Sequence, residues 1–235
     1  MNLIHQNLNS IPDLAELGSN VAIFTLLDRD PLPEWATADC FSTTEYERLD
    51  RTRHAAAKER FRRGRVFLRN VLGRILNLAP ADVTLSLGEY GKPMAAGIHF
   101  NMSHTEGVIV LAVSRGVVGI DVEVPAAGRD IHGLVNRWFT EAERRQFAAL
   151  PAAIQPEAFL RGWTCKEAVL KALGTGVRDL QNVSVDLDPR QPPRVLACPG
   201  SVRWELECWE VGEASAALCY SPPHPQPLSR EGRGE

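Results

Sequence analysis

Two kinds of stretch alternate along this chain: short runs in which apolar residues recur every second position, and longer ones in which they recur with a helical period. Residues 21–27 (VAIFTLL) are continuously apolar and predict a buried strand, followed by a loop punctuated by Pro31 and Pro33. Ser42-Thr-Thr-Glu45 has the form of a capping box and predicts a helix running through Arg48 and Leu49. From about residue 55 to 78, Phe61, Leu68, Val71, Leu72, Ile75 and Leu76 recur at helical spacing. Gly64 falls on the same face, where a small residue predicts close approach of another backbone. Residues 83–87 alternate as a short strand.

Residues 108–114 and 117–124 are both strand-like and separated by Arg115-Gly116, which predicts a hairpin. Helices are predicted at about 131–138, 141–150 and 156–173, the last stopped by Gly174-Thr-Gly176. Three further strands are predicted at 183–187, 202–211 and 216–220. This order gives an α+β fold of two halves joined near residues 114–118, with no sequence repeat between them. The halves are residues 1–115 and 116–220; residues 221–235, rich in Pro and polar residues, read as a disordered tail.

Composition adds constraints. At 235 residues with 44% hydrophobic and 23% charged residues, the chain is an ordinary globular protein able to bury a core. Its formal net charge of −3 hides a local imbalance: residues 51–74 hold nine Lys or Arg against one acid, Glu59. Such a segment suits an anionic partner, or a solvated helix face. Stacking aromatics are missing around it except Phe61 and Phe67, which fit the core stripe, so nucleic acid is not the expected partner. The five cysteines are scattered and lack a C-x-x-C, against a disulfide framework or zinc site and for a reducing compartment. No signal peptide or membrane span is expected, and the predicted location is cytoplasmic.

Two acidic segments carry the chemistry. In Gly119-Ile-Asp-Val-Glu123, alternation puts Gly119, Asp121 and Glu123 on one face of a strand, an edge suited to Mg²⁺. A sheet with one wet face produces the same pattern. In Trp163-Thr-Cys-Lys-Glu-Ala-Val-Leu-Lys171, Trp163, Glu167 and Lys171 share one helical stripe. That is either a surface ion pair or a base and metal ligand beside a phosphate-neutralising ammonium. Ser103 and His104, in Phe100-Asn-Met-Ser-His104, fall where the chain is expected to turn, and both can donate to phosphate oxygens. Lys92 projects from the bend Glu89-Tyr-Gly-Lys-Pro93.

Taken in order, Gly64-Arg65 in the Arg-rich helix, Gly91-Lys-Pro93, Phe100–His104, Gly119–Glu123, Arg137-Trp-Phe-Thr-Glu-Ala-Glu143 and Trp163–Lys171 resemble the phosphopantetheinyl transferase superfamily, in its larger surfactin-type branch. The resemblance covers roughly residues 45–187. It implies two similar α/β halves with pseudo-two-fold symmetry and coenzyme A in the cleft between them. It implies transfer of the 4′-phosphopantetheine moiety of coenzyme A to a serine of an acyl or peptidyl carrier protein, by a monomer, with release of adenosine 3′,5′-bisphosphate.

Carried onto this chain, the resemblance makes Asp121, Glu123 and Glu167 the ligands of Mg²⁺. Glu167 is also the base for the carrier serine, and Lys171 stabilises the leaving bisphosphate. Arg65, Lys92, Ser103 and His104 hold the nucleotide and its phosphates, with Lys166 adding charge. Carrier proteins of this kind are acidic, which suits the basic segment. Two other classes use the same residues: a Mg²⁺-dependent phosphodiesterase or pyrophosphohydrolase, and a non-catalytic coenzyme A binding protein.

Overall fold

Ser42 starts a helix as its sequence predicts: its hydroxyl accepts from the Glu45 amide, and the Glu45 carboxylate accepts from the Ser42 amide at 2.8 Å. The computed structural model describes residues 2–6, 8, 10–126 and 128–222; the expected tail lies, from residue 223, outside them. Three elements precede this helix: β1 (Leu3–His5), α1 (Leu14–Leu17) and β2 (Val21–Leu27). The capped helix is α2 (Thr43–Arg51), and α3 (Ala55–Leu76) is the long amphipathic helix read from the sequence. A small hairpin follows, β3 (Ser86–Leu87) with β4 (Pro93–Met94), then β5 (His99–Thr105) and β6 (Val108–Ser114).

The second half follows a similar order with one more helix ahead of its small strand pair. β7 (Val118–Glu123) leads to α4 (Ile131–Trp138), α5 (Glu141–Ala149), the long α6 (Gln155–Leu173), and the small pair β8 (Ser184–Val185) and β9 (Val195–Ala197). β10 (Glu205–Val211) and β11 (Ala214–Tyr220) complete it. The first sheet has the order β1-β2-β6-β5 and the second β10-β11-β7. β6 sits between β2 and β5, and β11 between β10 and β7, each antiparallel to both neighbours.

Four layers result. Phe67, Leu68, Val71, Leu72 and Ile75 of α3 pack on Phe24, Leu26, Phe100, Leu111 and Val113 of the first sheet. The opposite face of that sheet, with Ile23, Val110 and Ala112, meets Val118, Ile120, Val122, Ala216 and Leu218 of the second. Beyond it, Cys165, Ala168, Val169 and Ala172 of α6 cover Ala217 and Cys219. Fully burying a side chain of this size stabilises by about 1.5–3 kcal/mol, so each interface outweighs the local capping. No described helix is long and apolar enough to cross a membrane.

The predicted hairpin does not form. β6 pairs with β2 and β5, β7 pairs with β11, and they belong to different sheets. Gly116 lacks the positive φ that a tight two-residue turn needs, whereas Gly107 has φ of 79° and turns β5 into β6. Ser103 and His104 thus lie on a strand, not in a turn. At Gly64 the neighbour is a side chain, Met102 Cε, 3.4 Å from where a Cβ would stand.

Candidate active site

β5 and β7 are edge strands, one in each sheet, and the candidate site lies where those edges meet. Asn101 makes the junction: its Oδ1 accepts from the Ile120 amide at 2.8 Å, so a side chain from β5 satisfies a main-chain donor on the free edge of β7. Two residues on, Ser103 points to the same side of β5 and its hydroxyl donates to Asp121 Oδ1 at 2.8 Å.

Helix α6 reaches the strand from the other side. A Cβ on Gly119 would overlap Ala168 O and Ala172 N, so glycine is what lets the helix backbone press on β7. Glu167 and Lys171 stand four apart on that helix. Lys171 Nζ donates to Asp121 Oδ1 at 2.6 Å and to Ser103 Oγ at 2.8 Å. Strand β5, strand β7 and helix α6 each contribute one member of this contact.

The carboxylates crowd one another. Burial pushes the pKa of Glu123 up, and the Asp121 charge adds to the rise. Burial and then Asp121 also raise Glu167, with Lys171 opposing. Asp121 is itself buried, and its Oδ2 has no hydrogen-bond partner. Among the described residues no three His, Cys, Asp or Glu side chains converge on a common point. An unpartnered buried carboxylate oxygen between two acids of raised pKa is nevertheless a donor set that fits a hard divalent cation.

The remaining predicted residues divide. His104 is exposed on the opposite face of β5 from Ser103, and burial of its ring followed by the Arg60 charge lowers its pKa. Arg65 turns to Glu45 Oε1 at 3.4 Å; the other oxygen of that carboxylate accepts from the buried Arg69 at 2.7 Å. Lys92 donates to Val118 O at 2.9 Å, Lys171 O at 2.5 Å and Ala172 O at 3.5 Å, clamping β7 to the end of α6. Its three N–H donors are thereby engaged with main-chain acceptors rather than offered to a phosphate.

Lys166 does not join the site. It is fully buried, its Nζ bound to Glu143 Oε2 at 2.5 Å and Val183 O at 2.7 Å. One residue from Glu167 is about 100° around a helix, which aims Lys166 into the core instead. Glu143 also accepts from Thr140 N at 2.7 Å and Val185 N at 2.9 Å, so its carboxylate is fully satisfied. The sequence pattern assigns no role to Asn101 or Glu143, although they lie in the Phe100–His104 and Arg137–Glu143 motifs; for Asn101 the signal is a polar residue flanked by Phe100 and Met102.

A model of the 4′-phosphopantetheinyl transferase superfamily matches residues 117–220, the stretch from β7 through β11. The 4′-phosphopantetheinyl transferase HetI of Nostoc sp. is 31% identical over 212 residues, covering 87% of this chain and 88% of HetI. Sfp of Bacillus subtilis is 29% identical over 140 residues, 58% of this chain and 61% of Sfp. A solved holo-(acyl-carrier-protein) synthase from Bacillus anthracis, in complex with CoA (3′,5′-ADP), is 24% identical with a TM-score of 0.36, covering 45% of this chain and 94% of that one. The near full-length match to HetI, with the Asp121–Lys171–Ser103 contact inside it, places the chain in the 4′-phosphopantetheinyl transferase superfamily, in the branch that holds Sfp.

Proposed function

We infer how the cluster on β5, β7 and α6 performs the family's reaction: the 4′-phosphopantetheine moiety of coenzyme A passes to a serine of an acyl or peptidyl carrier protein, and adenosine 3′,5′-bisphosphate leaves. One observation carries the reading: Lys171 and Asp121, from separate elements, meet at 2.6 Å beside a carboxylate oxygen with no partner. Binding alone would not need a base.

Glu167 takes the proton of the carrier serine as its oxygen forms a bond to the coenzyme's β-phosphorus. The bond from that phosphorus to the bridging oxygen breaks, and its electron pair stays with the bisphosphate. Lys171 places positive charge where the leaving group accumulates negative charge, and Ser103 helps fix that ammonium. Asp121, Glu123 and Glu167 are the residues that would hold Mg²⁺, which when bound supplies neutralisation of the pyrophosphate.

The nucleotide end falls to the opposite face of β5, where His104 is exposed beside Arg60. In the basic segment, Arg62 is held by Glu59 at 2.6 Å and Arg63 donates to Leu27 O and Asp30 O, each at 3.0 Å. Arg53, Lys58 and Arg60 have no ion-pair partner among the described residues. These exposed cations suit an acidic carrier. Arg65 and Lys92 support the frame from Glu45 and from the α6 terminus.

The two halves, divided at residues 115 and 116, are related by pseudo-two-fold symmetry with coenzyme A in the cleft between them. Repetition of the element order supports this. So does a repeated device: in each half a capping-box glutamate, Glu45 or Glu143, pairs with a buried cation of the following long helix, Arg69 or Lys166.

The test is incubation of the purified protein with coenzyme A, Mg²⁺ and a panel of apo carriers, read by intact mass. Modification of a carrier serine is expected. Coenzyme A cleaved with no carrier present would favour a phosphodiesterase, and tight coenzyme binding with every carrier unmodified would favour a sensor.

A further inference from the structure

Cys165 on α6 and Cys208 on β10 stand with their sulfurs 3.1 Å apart, and the transfer reaction uses neither. They are 43 residues apart in the chain and come together only because α6 lies across the second sheet. Cys165 is fully buried. Cys208 is partly exposed and lines a cavity of about 550 Å³ together with Phe159, Arg161 and Trp209. A small solute therefore reaches Cys208 first and Cys165 only through it.

Arg161 gives the pair its polarity. Its Nη1 donates to Asp188 O at 2.9 Å and its Nη2 to Gln191 O at 2.6 Å, while its buried Nε has no acceptor. The guanidinium is thus fixed by the main chain with its Nε–H unspent, beside a thiol. The hydrogen bond from Cys165, then the Arg161 charge, lower the pKa of Cys208. Low-pKa, accessible thiols beside a cation with a second thiol in reach are the ones that oxidise reversibly.

We propose that Cys165 and Cys208 are a peroxide-sensitive dithiol that closes to a disulfide between α6 and β10. The Cys208 thiolate attacks the outer oxygen of a hydroperoxide, giving Cys208 sulfenic acid and, after protonation, the alcohol or water. The Cys165 sulfur then attacks the Cys208 sulfur; the S–O bond breaks, an S–S bond forms, and the hydroxyl leaves as water with the Cys165 proton. Two thiols lose two electrons, and the peroxide gains them. Exchange with an external dithiol reverses the bond.

The experiment treats the native protein with hydrogen peroxide, alkylates under denaturing conditions and maps the peptides by mass. Expected are two fewer alkylated cysteines of the five, a mass lower by two hydrogens, a crosslinked Cys165–Cys208 peptide, and full recovery with dithiothreitol. In Cys165→Ser, Cys208 should gain oxygen and form no crosslink; in Cys208→Ser, Cys165 should remain a thiol. Five alkylated cysteines after peroxide, a crosslink involving Cys40, Cys198 or Cys219, or a wild-type Cys208 gaining oxygen while Cys165 stays free would each overturn the proposal. The wild-type peptide map decides it even where a serine variant folds poorly.

Discussion

Gly119 lies directly against the carbonyl oxygen of Ala168, so that a Cβ on the strand residue would overlap the helix backbone. This contact fixes how far Glu167 and Lys171 stand from Asp121. It ties a local sequence choice to the spacing of charges in the site, with no side chain between.

Gly119→Ala should therefore damage stability and catalysis together. Overpacking costs typically about 1–3 kcal/mol. A displacement near 1 Å costs about 10²-fold in rate. A lower Tm with carrier modification slowed by that order is expected; an unchanged rate would show that α6 is not positioned here.

Asp121→Asn and Lys171→Met should each reduce transfer by about 10²–10³-fold or more while leaving the fold intact. Glu167→Gln should do the same by removing the proposed base. The measurement is mass gain of an apo carrier with coenzyme A and Mg²⁺ saturating, alongside a circular dichroism melt. Any of the three retaining wild-type turnover loses its assigned role.

Lys166→Met should behave differently. Removing one partner of a buried pair leaves the Glu143 charge uncompensated, at about 3–5 kcal/mol. Chemical denaturation should register that loss, whereas the KM for coenzyme A of the protein that remains folded should hold. A raised KM with unaltered stability would instead return Lys166 to the ligand site.

Lys92 predicts a pH effect. Burial lowers its pKa from the usual value to about 8. Between that value and the ordinary lysine range near pH 10.4, the unfolded chain holds a proton that the folded chain has released. Stability from this residue consequently increases as pH rises through 8, and below 8 the folded state bears the desolvation of a charged ammonium. Denaturation of wild type and Lys92→Met at pH 7 and 9.5 should show the wild type gaining relative to the variant at the higher pH; a constant difference would refute the shift.

Local pattern made much of this fold legible. Ser42 and Glu45, the apolar face of α3, the run 21–27 and the stop at Gly174 each depend on neighbours in sequence, and each element stands near its predicted place. Strand partners do not depend on neighbours: the period of two in 108–114 and 117–124 says which face is buried, not which strand pairs alongside. Arg115-Gly116 therefore has the local pattern of a hairpin turn without forming one, whereas Glu106-Gly107, which does turn the chain, lies within a polar motif. Asp121 and Lys171, which meet in the structure, stand on the faces that the strand and helix periods predict. Lys166 shares the motif of Lys171 but not its stripe, and the main-chain acceptors of Lys92 come from residues 26 and 79 positions away, beyond any local reading.

The meeting of two sheet edges has a mechanical consequence. Among the described residues no main-chain hydrogen bond joins β5 to β7; side chains such as Asn101 and Ser103 fasten them. A ligand binding at this edge would compete with side-chain contacts and not with a main-chain ladder. The junction is a seam between two ladders, held by these side chains and by the apolar contact of the sheet faces behind it.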